Sequence, residues 1–520
     1  MILLTKYHKS IKLIKVHDQF HCTEDLKDQD LREMLLLDYF SVPLPFIYLF
    51  LSLSIIWIIK YLFKSVKRIY SLPPGPFGFP IFGYYPFLKD HSYIQFDRLS
   101  KKYGPVFSLK LGQYDTIVVC DWDNLKDAFA NDALLARPAK GFLSGIENTL
   151  SIISMSGDAW REHRRLSLHV LRNVGLGKRE MENLISEEIH QFLYSLENDA
   201  NDLSQRLMQS VSNNISLMLF GHIFDYDDPD KVAIDESLRD YCQAFQFSGI
   251  TSYLPWLTKP LIALGKANLK IIQKAQMHLN DFISKELFKH QNGKVENYID
   301  GYLNVQSKRK DQLFNNATLK RNVATFFVAG SETVAGTLTW ASMYLVKYPQ
   351  YQERIRLEIK EVIGTEKRPD FSDRLRMPFT LAFLYEVQRI ESIVATNLIR
   401  RASQDTKIGP YNVPKDSLVL FNFWSVHHDP KLWSNPDKFD PNRFLTENGN
   451  KVVKPPYLVP FSAGKRACPG EGLANVELFL YTVGILQRFK IKSDKPLSFE
   501  AINGLTRRPK YKPDLIFQRV

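Results

Sequence analysis

The sequence predicts a mainly α-helical protein with a small β part. Three observations carry that reading. Four long segments have the length and patterning of helices: 177–200, 318–346, 350–362 and 380–392. β-like runs are few and short: VFSLKLG (106–112), TIVVC (116–120) and SLVLFNF (417–423). From about 425 to 470 the chain is rich in Pro, Asp, Asn and Gly and reads as loop. An irregular stretch of that length inside a compact protein is usually functional.

Each element has a local reason. Residues 177–200 are amphipathic. The 318–346 helix must stop before Tyr348-Pro349, because a proline excludes helical backbone at the residue before it. Gly364 ends the 350–362 helix. In SLPPGPFGFPIFG (71–83), seven of thirteen residues are Pro or Gly, so this segment is a stiff connector and not a helix.

Before the connector, Tyr39 to Ile59 form a run of 21 uncharged residues, long enough to span a bilayer as a helix. Lys60, Lys64, Lys67 and Arg68 follow it, and no small-residue cleavage site does. The positive-inside rule then places the bulk of the chain in the cytosol. On that topology the NIS at Asn214 and the NAT at Asn316 never meet the glycosylation machinery and are chance matches. Residues 1–38 carry six Lys/Arg and seven Asp/Glu without periodicity. Residues 1–33 read as a gene-model extension or a disordered lumenal tail, with Met34 as an alternative start. The expected organisation is an extension (1–38), a transmembrane anchor (39–59), a basic and proline-rich connector (60–83) and one catalytic domain (84–520).

Bulk composition narrows the function. Apolar residues at 45% and aromatics at 13% support a large core. The formal charge of +12 favours acidic partners or an anionic membrane surface. The basic residues are dispersed and no nucleic-acid motif is present, so nucleic acid is not an expected partner. Four cysteines, Cys22, Cys120, Cys242 and Cys468, make neither a disulfide framework nor a zinc pair.

Cys468 stands apart. FSAGKRACPG (461–470) has the pattern F-x-x-G-x-R-x-C-x-G, with Phe461, Gly464, Arg466, Cys468 and Gly470 fixed. At average residue usage, five such positions arise by chance in roughly one chain in ten thousand. The stretch resembles the haem loop of the cytochrome P450 superfamily, the haem-thiolate monooxygenases. The resemblance implies that Cys468 is the axial thiolate of a haem b iron, with Phe461, Gly464 and Arg466 around the cofactor. The chemistry agrees. Loop glycines allow close backbone approach, backbone N–H groups favour a thiolate, and a thiolate ligand favours O–O cleavage.

Other stretches extend the resemblance. AGSETV (329–334) is similar to the family's oxygen-binding stretch. It implies Glu332 and Thr333 as the catalytic acid–alcohol pair that supplies protons, with Gly330 loosening the helix. Val334 replaces a more usual second hydroxyl. YEVQR and FDPNRF imply that Glu386, Arg389 and Arg443 lock together in a structural role, with Asn442 in place of the usual acid. WREHRR implies that Trp160 and Arg164 contact a haem propionate, together with Arg466 and Arg400. Ala395 and Ile399 stand where the family often carries prolines. Arg137-Pro138, His428-Asp429-Pro430 and TRRP (506–509) also fit the pattern. By resemblance, Ile153, Phe326, Phe327, Ala329, Val394, Ala395 and Leu505 line the substrate pocket.

The resemblance covers roughly residues 71–515 and is strongest to animal microsomal members, the clan of drug- and steroid-metabolising enzymes. GFLSG (141–145) and SIISMSGDAWREHRR support that clan. It implies a single triangular, helix-rich body with a small β lobe behind an N-terminal transmembrane helix, overriding the two to four domains that length alone suggests. It also implies a monooxygenase of the endoplasmic reticulum membrane, single-pass and facing the cytosol, acting on a small lipophilic substrate (a xenobiotic, steroid or fatty-acid-like compound). No flavin or nicotinamide fingerprint is present, so electrons from NADPH come through a separate flavoprotein reductase. A cytochrome b-type protein is a further candidate donor. The alternatives are a haem-thiolate isomerase or dehydratase acting on peroxides, and a non-catalytic membrane haem- or lipid-binding protein.

Overall fold

The computed structural model describes residues 44–89, 91–138, 150–198, 203–244, 249–290, 295–309 and 312–520. The extension expected over 1–38, the start of the apolar run at 39–43 and GFLSG lie outside the described residues. The chain divides into two units, Met1–Lys67 and Arg68–Val520.

Helix α1 covers Leu44–Ser71. Phe46, Leu49, Phe50, Leu53 and Trp57 stand exposed along it. Its described uncharged part runs from Leu44 to Ile59. At about 1.5 Å per residue that part reaches roughly 24 Å, against about 30 Å for the hydrocarbon core of a bilayer. Accordingly, no helix among the described residues is long and apolar enough to cross a membrane. The remainder of the predicted run lies outside those residues.

The elements that matter to the site are β1 (Val106–Leu111), β2 (Tyr114–Val119), α2 (Gly157–Asn173), α3 (Arg179–Asn198), α4 (Leu203–Phe220), α5 (Pro229–Ala244), α6 (Ala267–Lys289), α7 (Asn316–Lys347), α8 (Pro349–Val362), α9 (Pro378–Glu391), β3 (Arg400–Arg401), β4 (Leu418–Phe421), α10 (Glu471–Arg488), β5 (Ala501–Asn503) and β6 (Arg507–Pro509). The four predicted helices appear as α3, α7, α8 and α9, and the three β runs as β1, β2 and β4. The main sheet has the order β1-β2-β4-β3. β1 and β2 are antiparallel, β2 and β4 run parallel, and β3 pairs antiparallel with β4 through Arg400 opposite Val419. The connector packs on this sheet: the Ser108 N–H donates to the Pro74 carbonyl (2.8 Å) and the Ser108 hydroxyl to the Pro73 carbonyl (2.7 Å).

α7 is the central helix. The Asn315 side chain caps its start by accepting from the Thr318 N–H. α4, α6, α9 and α10 pack around it, so it has no single apolar stripe. The helix is continuous through Gly330. That glycine does not open the helix; it admits α4, because a Cβ there would lie 2.5 Å from Ile215 Cδ1.

The long loop after β4 is held by buried charge. Glu386 and Arg389, three residues apart on α9, form a bidentate pair (2.7 and 2.8 Å), and both side chains are fully buried. Arg443 Nε reaches the same carboxylate at 3.1 Å. Arg389 then donates to the His427 carbonyl (2.7 Å) and Arg443 to the Lys438 carbonyl (2.9 Å). The His427 ring extends the chain of contacts: its Nε2 accepts from the Val459 N–H (3.0 Å) and its Nδ1 lies 2.8 Å from Ser392 Oγ. The Ser392 hydroxyl donates to the Arg389 carbonyl (2.9 Å), so Nδ1 is the donor to Ser392. The ring is therefore neutral, and burial holds its pKa well below the usual value.

α4 buries an unusual polar run, with Ser210, Ser212, Asn213, Asn214 and Ser216 all inside. Asn214 donates to Glu477 Oε1 (2.9 Å) and to the Tyr481 hydroxyl (3.2 Å) on α10. The NIS triplet is therefore core structure. Burial raises the Glu477 pKa to about 8, partly offset by the Asn214 bond. A raised carboxyl pKa means that the folded state holds the proton longer than the unfolded state. Its stabilisation is full below the unfolded pKa and is lost as pH rises towards 8. Glu477→Gln should therefore gain stability over the wild type between pH 5 and pH 8, by on the order of 1–3 kcal/mol at the upper end. Thermal denaturation of both proteins across that range measures the difference.

Candidate active site

The loop that ends at Cys468 folds on itself. The Cys468 N–H donates to the Phe461 carbonyl (2.9 Å) and the Ala467 N–H to the Gly464 carbonyl (3.0 Å). Gly464 adopts φ +71°, and a Cβ there would lie 2.5 Å from the Phe129 carbonyl oxygen, so no side chain fits. Ser462 also has positive φ, at 61°. α10 starts just beyond, at Glu471.

Cys468 is exposed by surface area, yet enough protein surrounds it that burial raises its thiol pKa. Both hold for a sulfur on the wall of an internal cleft. Hydrogen bonding to the Gly470 and Glu471 backbone and the charge of Arg164 oppose this rise, while the Glu471 carboxylate adds to it. The local donors thus favour the thiolate.

Four arginines gather on the same side. Arg466 donates to the carbonyls of Leu135 (3.0 Å) and Met155 (2.6 Å) and lies 3.8 Å over the Trp160 ring. Arg164, on α2 with Trp160, donates to the Ala467 carbonyl (2.7 Å). Arg400 on β3 is buried over Phe421 (4.8 Å). Arg137 donates to the carbonyls of Leu398 and Ile399. Among the described residues, no carboxylate pairs with any of these four. Burial is the larger cause that lowers Arg137 to about 9, with repulsion from Arg400 second. Burial alone lowers Arg400 to about 10. Arg466 falls to about 8 through burial and then repulsion from Arg137, Arg400 and Arg164. Arg400 Nη1 and Arg137 Nε are buried with no hydrogen-bond partner. Buried like charges with unused donors call for an anion. The two propionates of a haem would supply one, and Cys468 would supply a thiolate for its iron. The residues present fit the group.

The opposite wall comes from α7. Along its middle, Phe326, Ala329, Gly330 and Thr333 are half-buried or exposed, while Phe327, Val328, Ser331, Glu332 and Val334 are buried. Their spacing of three and four residues puts them on one face. The Thr333 hydroxyl donates to the Ala329 carbonyl (2.8 Å). Ile153 and Phe326 each pack against the cluster of Ile152, Met155 and Trp160. Val394 and Leu505 are half-buried, and Ala395 is buried. Phe327, expected on the same wall, is fully buried against Phe220 and Phe282, because one residue along the helix rotates it to the core side. Glu332 is also buried, held by the Thr506 hydroxyl (2.7 Å) and Arg508 (2.8 Å).

Sequence reasoning did not assign Arg137 to the site, although the Arg137-Pro138 pair was visible. Nor did it link Glu332 to Arg508.

A family model described as Cytochrome P450 matches residues 73–514. The chain is 32% identical to cytochrome P450 2J2 of Homo sapiens over 86% of its own length and 91% of that protein's. It is 33% identical to cytochrome P450 2H2 of Gallus gallus over 87% of its own length and 93% of that protein's. It is also 33% identical to cytochrome P450 2C5 of Oryctolagus cuniculus, over 84% and 92% of the two lengths.

The unused donors give a direct test. Arg400→Leu should leave the thermal stability of the haem-free protein unchanged or higher, because it removes a buried unpaired charge. The same change should speed haem loss to an external acceptor roughly tenfold, the equivalent of about 1.4 kcal/mol. Absorbance at the haem band follows the transfer.

Proposed function

The chain belongs to the cytochrome P450 family and is a haem-thiolate monooxygenase, and on that premise we propose that it inserts one atom of dioxygen into a small lipophilic substrate, using NADPH electrons delivered by a separate flavoprotein reductase. The observation that carries this reading is Cys468: a lone thiol on a cleft wall, backed by three buried arginines and the half-buried Arg164, which no carboxylate pairs among the described residues. Bound there, the haem supplies the oxygen activation, which a thiolate ligand favours by electron donation.

The chain's own residues do the rest. Arg137, Arg164, Arg400 and Arg466 would hold the propionates, and Trp160 stacks against Arg466. Thr333 donates its own proton to the Ala329 carbonyl, so its oxygen lone pairs are left to accept from a water in the cleft. Glu332, next in the chain, is the acid that resupplies protons to that water. Ile153, Phe326, Ala329, Val394, Ala395 and Leu505 offer an apolar wall, which suits a steroid, fatty-acid-like or xenobiotic substrate.

Membrane attachment at the endoplasmic reticulum, by a single N-terminal pass, fits the exposed apolar side chains of α1. Within the second unit, Phe77, Phe79 and Ile81 are exposed, as are Trp256 and Leu264. The two groups lie on one side of this unit: Gly112 N–H donates to the Phe82 carbonyl, and Gln113 N–H to the Tyr253 carbonyl. A lipid surface is the environment such a patch fits. The partners are the reductase, a cytochrome b-type protein as an auxiliary donor, and the bilayer.

Turnover with reductase in lipid vesicles tests the reading. Adding a substrate lipophile should raise NADPH consumption several-fold above the substrate-free rate, and the product should carry one oxygen from labelled dioxygen. Thr333→Ala should lower product per NADPH and release peroxide instead. A peroxide rearrangement that needs no NADPH would replace this reading with the isomerase one. Haem and lipid binding without turnover would replace it with a binding protein.

A further inference from the structure

Glu332 and Thr333 are adjacent, yet at about 100° per residue they leave α7 in different directions. Thr333 shares its face with Phe326 and Ala329. Glu332 shares another with Ala335, Gly336 and Thr339, and these four line a separate cavity of about 220 Å³. The lining runs from buried Glu332 out to exposed Tyr511 and Lys512. The cavity therefore connects core to solvent and has room for several waters.

The Glu332 carboxyl is placed on that cavity from the C-terminal hairpin. The Thr506 hydroxyl donates to its Oε1 (2.7 Å), and Arg508 Nε lies 2.8 Å from the same oxygen. Arg508 also donates to the Arg239 carbonyl on α5 (3.4 Å). The strand is itself anchored: the Arg507 N–H donates to the Ile393 carbonyl (2.8 Å), Trp340 of α7 donates to the Arg507 carbonyl (3.1 Å), and Arg507 pairs with Glu391 (2.9 Å). A rigid strand thus sets where the acid points.

We propose that Arg508 and Thr506 are positioning residues that hold the Glu332 carboxyl on this side cavity, so that protons enter through it and not through the substrate cleft. The proposal rests on the reading of Glu332 and Thr333 as the proton-carrying pair. Burial disfavours the ionised carboxyl, while Arg508 first, then Thr506 and Arg239, favour it. The Cys242 thiol on α5 faces the same carboxyl, and Asp235, Glu236, Lys510 and Lys512 complete the charged lining. Removing the Arg508 charge leaves burial less opposed, so Glu332 should titrate at higher pH.

The test uses the full-length, haem-loaded protein. Infrared titration identifies the Glu332 carboxyl as the protonated band that Glu332→Gln deletes. Arg508→Gln should raise its midpoint by about one pH unit or more, and Arg508→Lys should restore most of the shift. Product formed per NADPH should fall at least about twofold in Arg508→Gln and in Thr506→Val, with the substrate dissociation constant changed less than that. An unmoved midpoint in Arg508→Gln overturns the proposal, as does a loss confined to substrate affinity. If Arg508→Gln does not fold, unchanged coupling in Thr506→Val overturns it. Wild-type coupling in Glu332→Gln overturns the underlying reading as well, and is recognisable because the infrared shift does not depend on it.

Discussion

One buried carboxylate organises the part of the molecule that does the chemistry. Glu386 is shared by Arg389 and Arg443, and the spare donors of those two arginines reach backbone carbonyls of the long loop after β4. From there the contacts run through His427 to Val459 and into the stretch that presents Cys468. A loop of this length has no ladder of its own, so its shape must be imposed by side chains. Glu386 and Arg389 are fully buried, and Arg443 closes the group from the half-buried side. Breaking a buried pair by removing one partner typically costs about 3–5 kcal/mol, so the lock is all or none.

The cleft wall has the opposite electrostatic character. Around Glu386 every charge meets its counter-charge, whereas Arg137, Arg400 and Arg466 stand inside the protein without one among the described residues. Burial lowers the pKa of all three, and repulsion from neighbouring arginines adds to it at Arg137 and Arg466. A protein that needed these groups only for folding would pair them or use apolar residues. Three buried guanidiniums with two unused donors suit a ligand bearing carboxylates, and binding such a ligand would offset their desolvation. On the proposed reading, the cofactor would complete the charge balance of the fold.

Much of this was legible in the sequence because certain positions admit few residues. The Cys468 loop could be read from its fixed cysteine, arginine and glycines. Gly464, at φ +71°, shows the reason at one of them. Helix ends were legible where a proline dictates them, as at Pro349, whereas the cap at Asn315 was not read and the expected start at 318 fell two residues late. What depends on helical phase or on distant partners was not legible. Phe326 and Phe327 look equivalent in sequence, but a rotation of about 100° sends one to the cleft wall and the other to the core. The partners of Glu332 lie on a strand near the C-terminus, and no local pattern announces an ion pair between segments so far apart. Gly330 was read as a loosening point, but its use is close packing against Ile215.

The most direct test of the central claim is the carbon monoxide difference spectrum of the reduced protein, recorded for the chain begun at Met34 and for its Cys468→Ser variant. Thiolate ligation by Cys468 predicts a strongly red-shifted Soret band in the first and none in the second. A folded, haem-bound wild type with an unshifted band, like that of a histidine-ligated protein, would contradict the account.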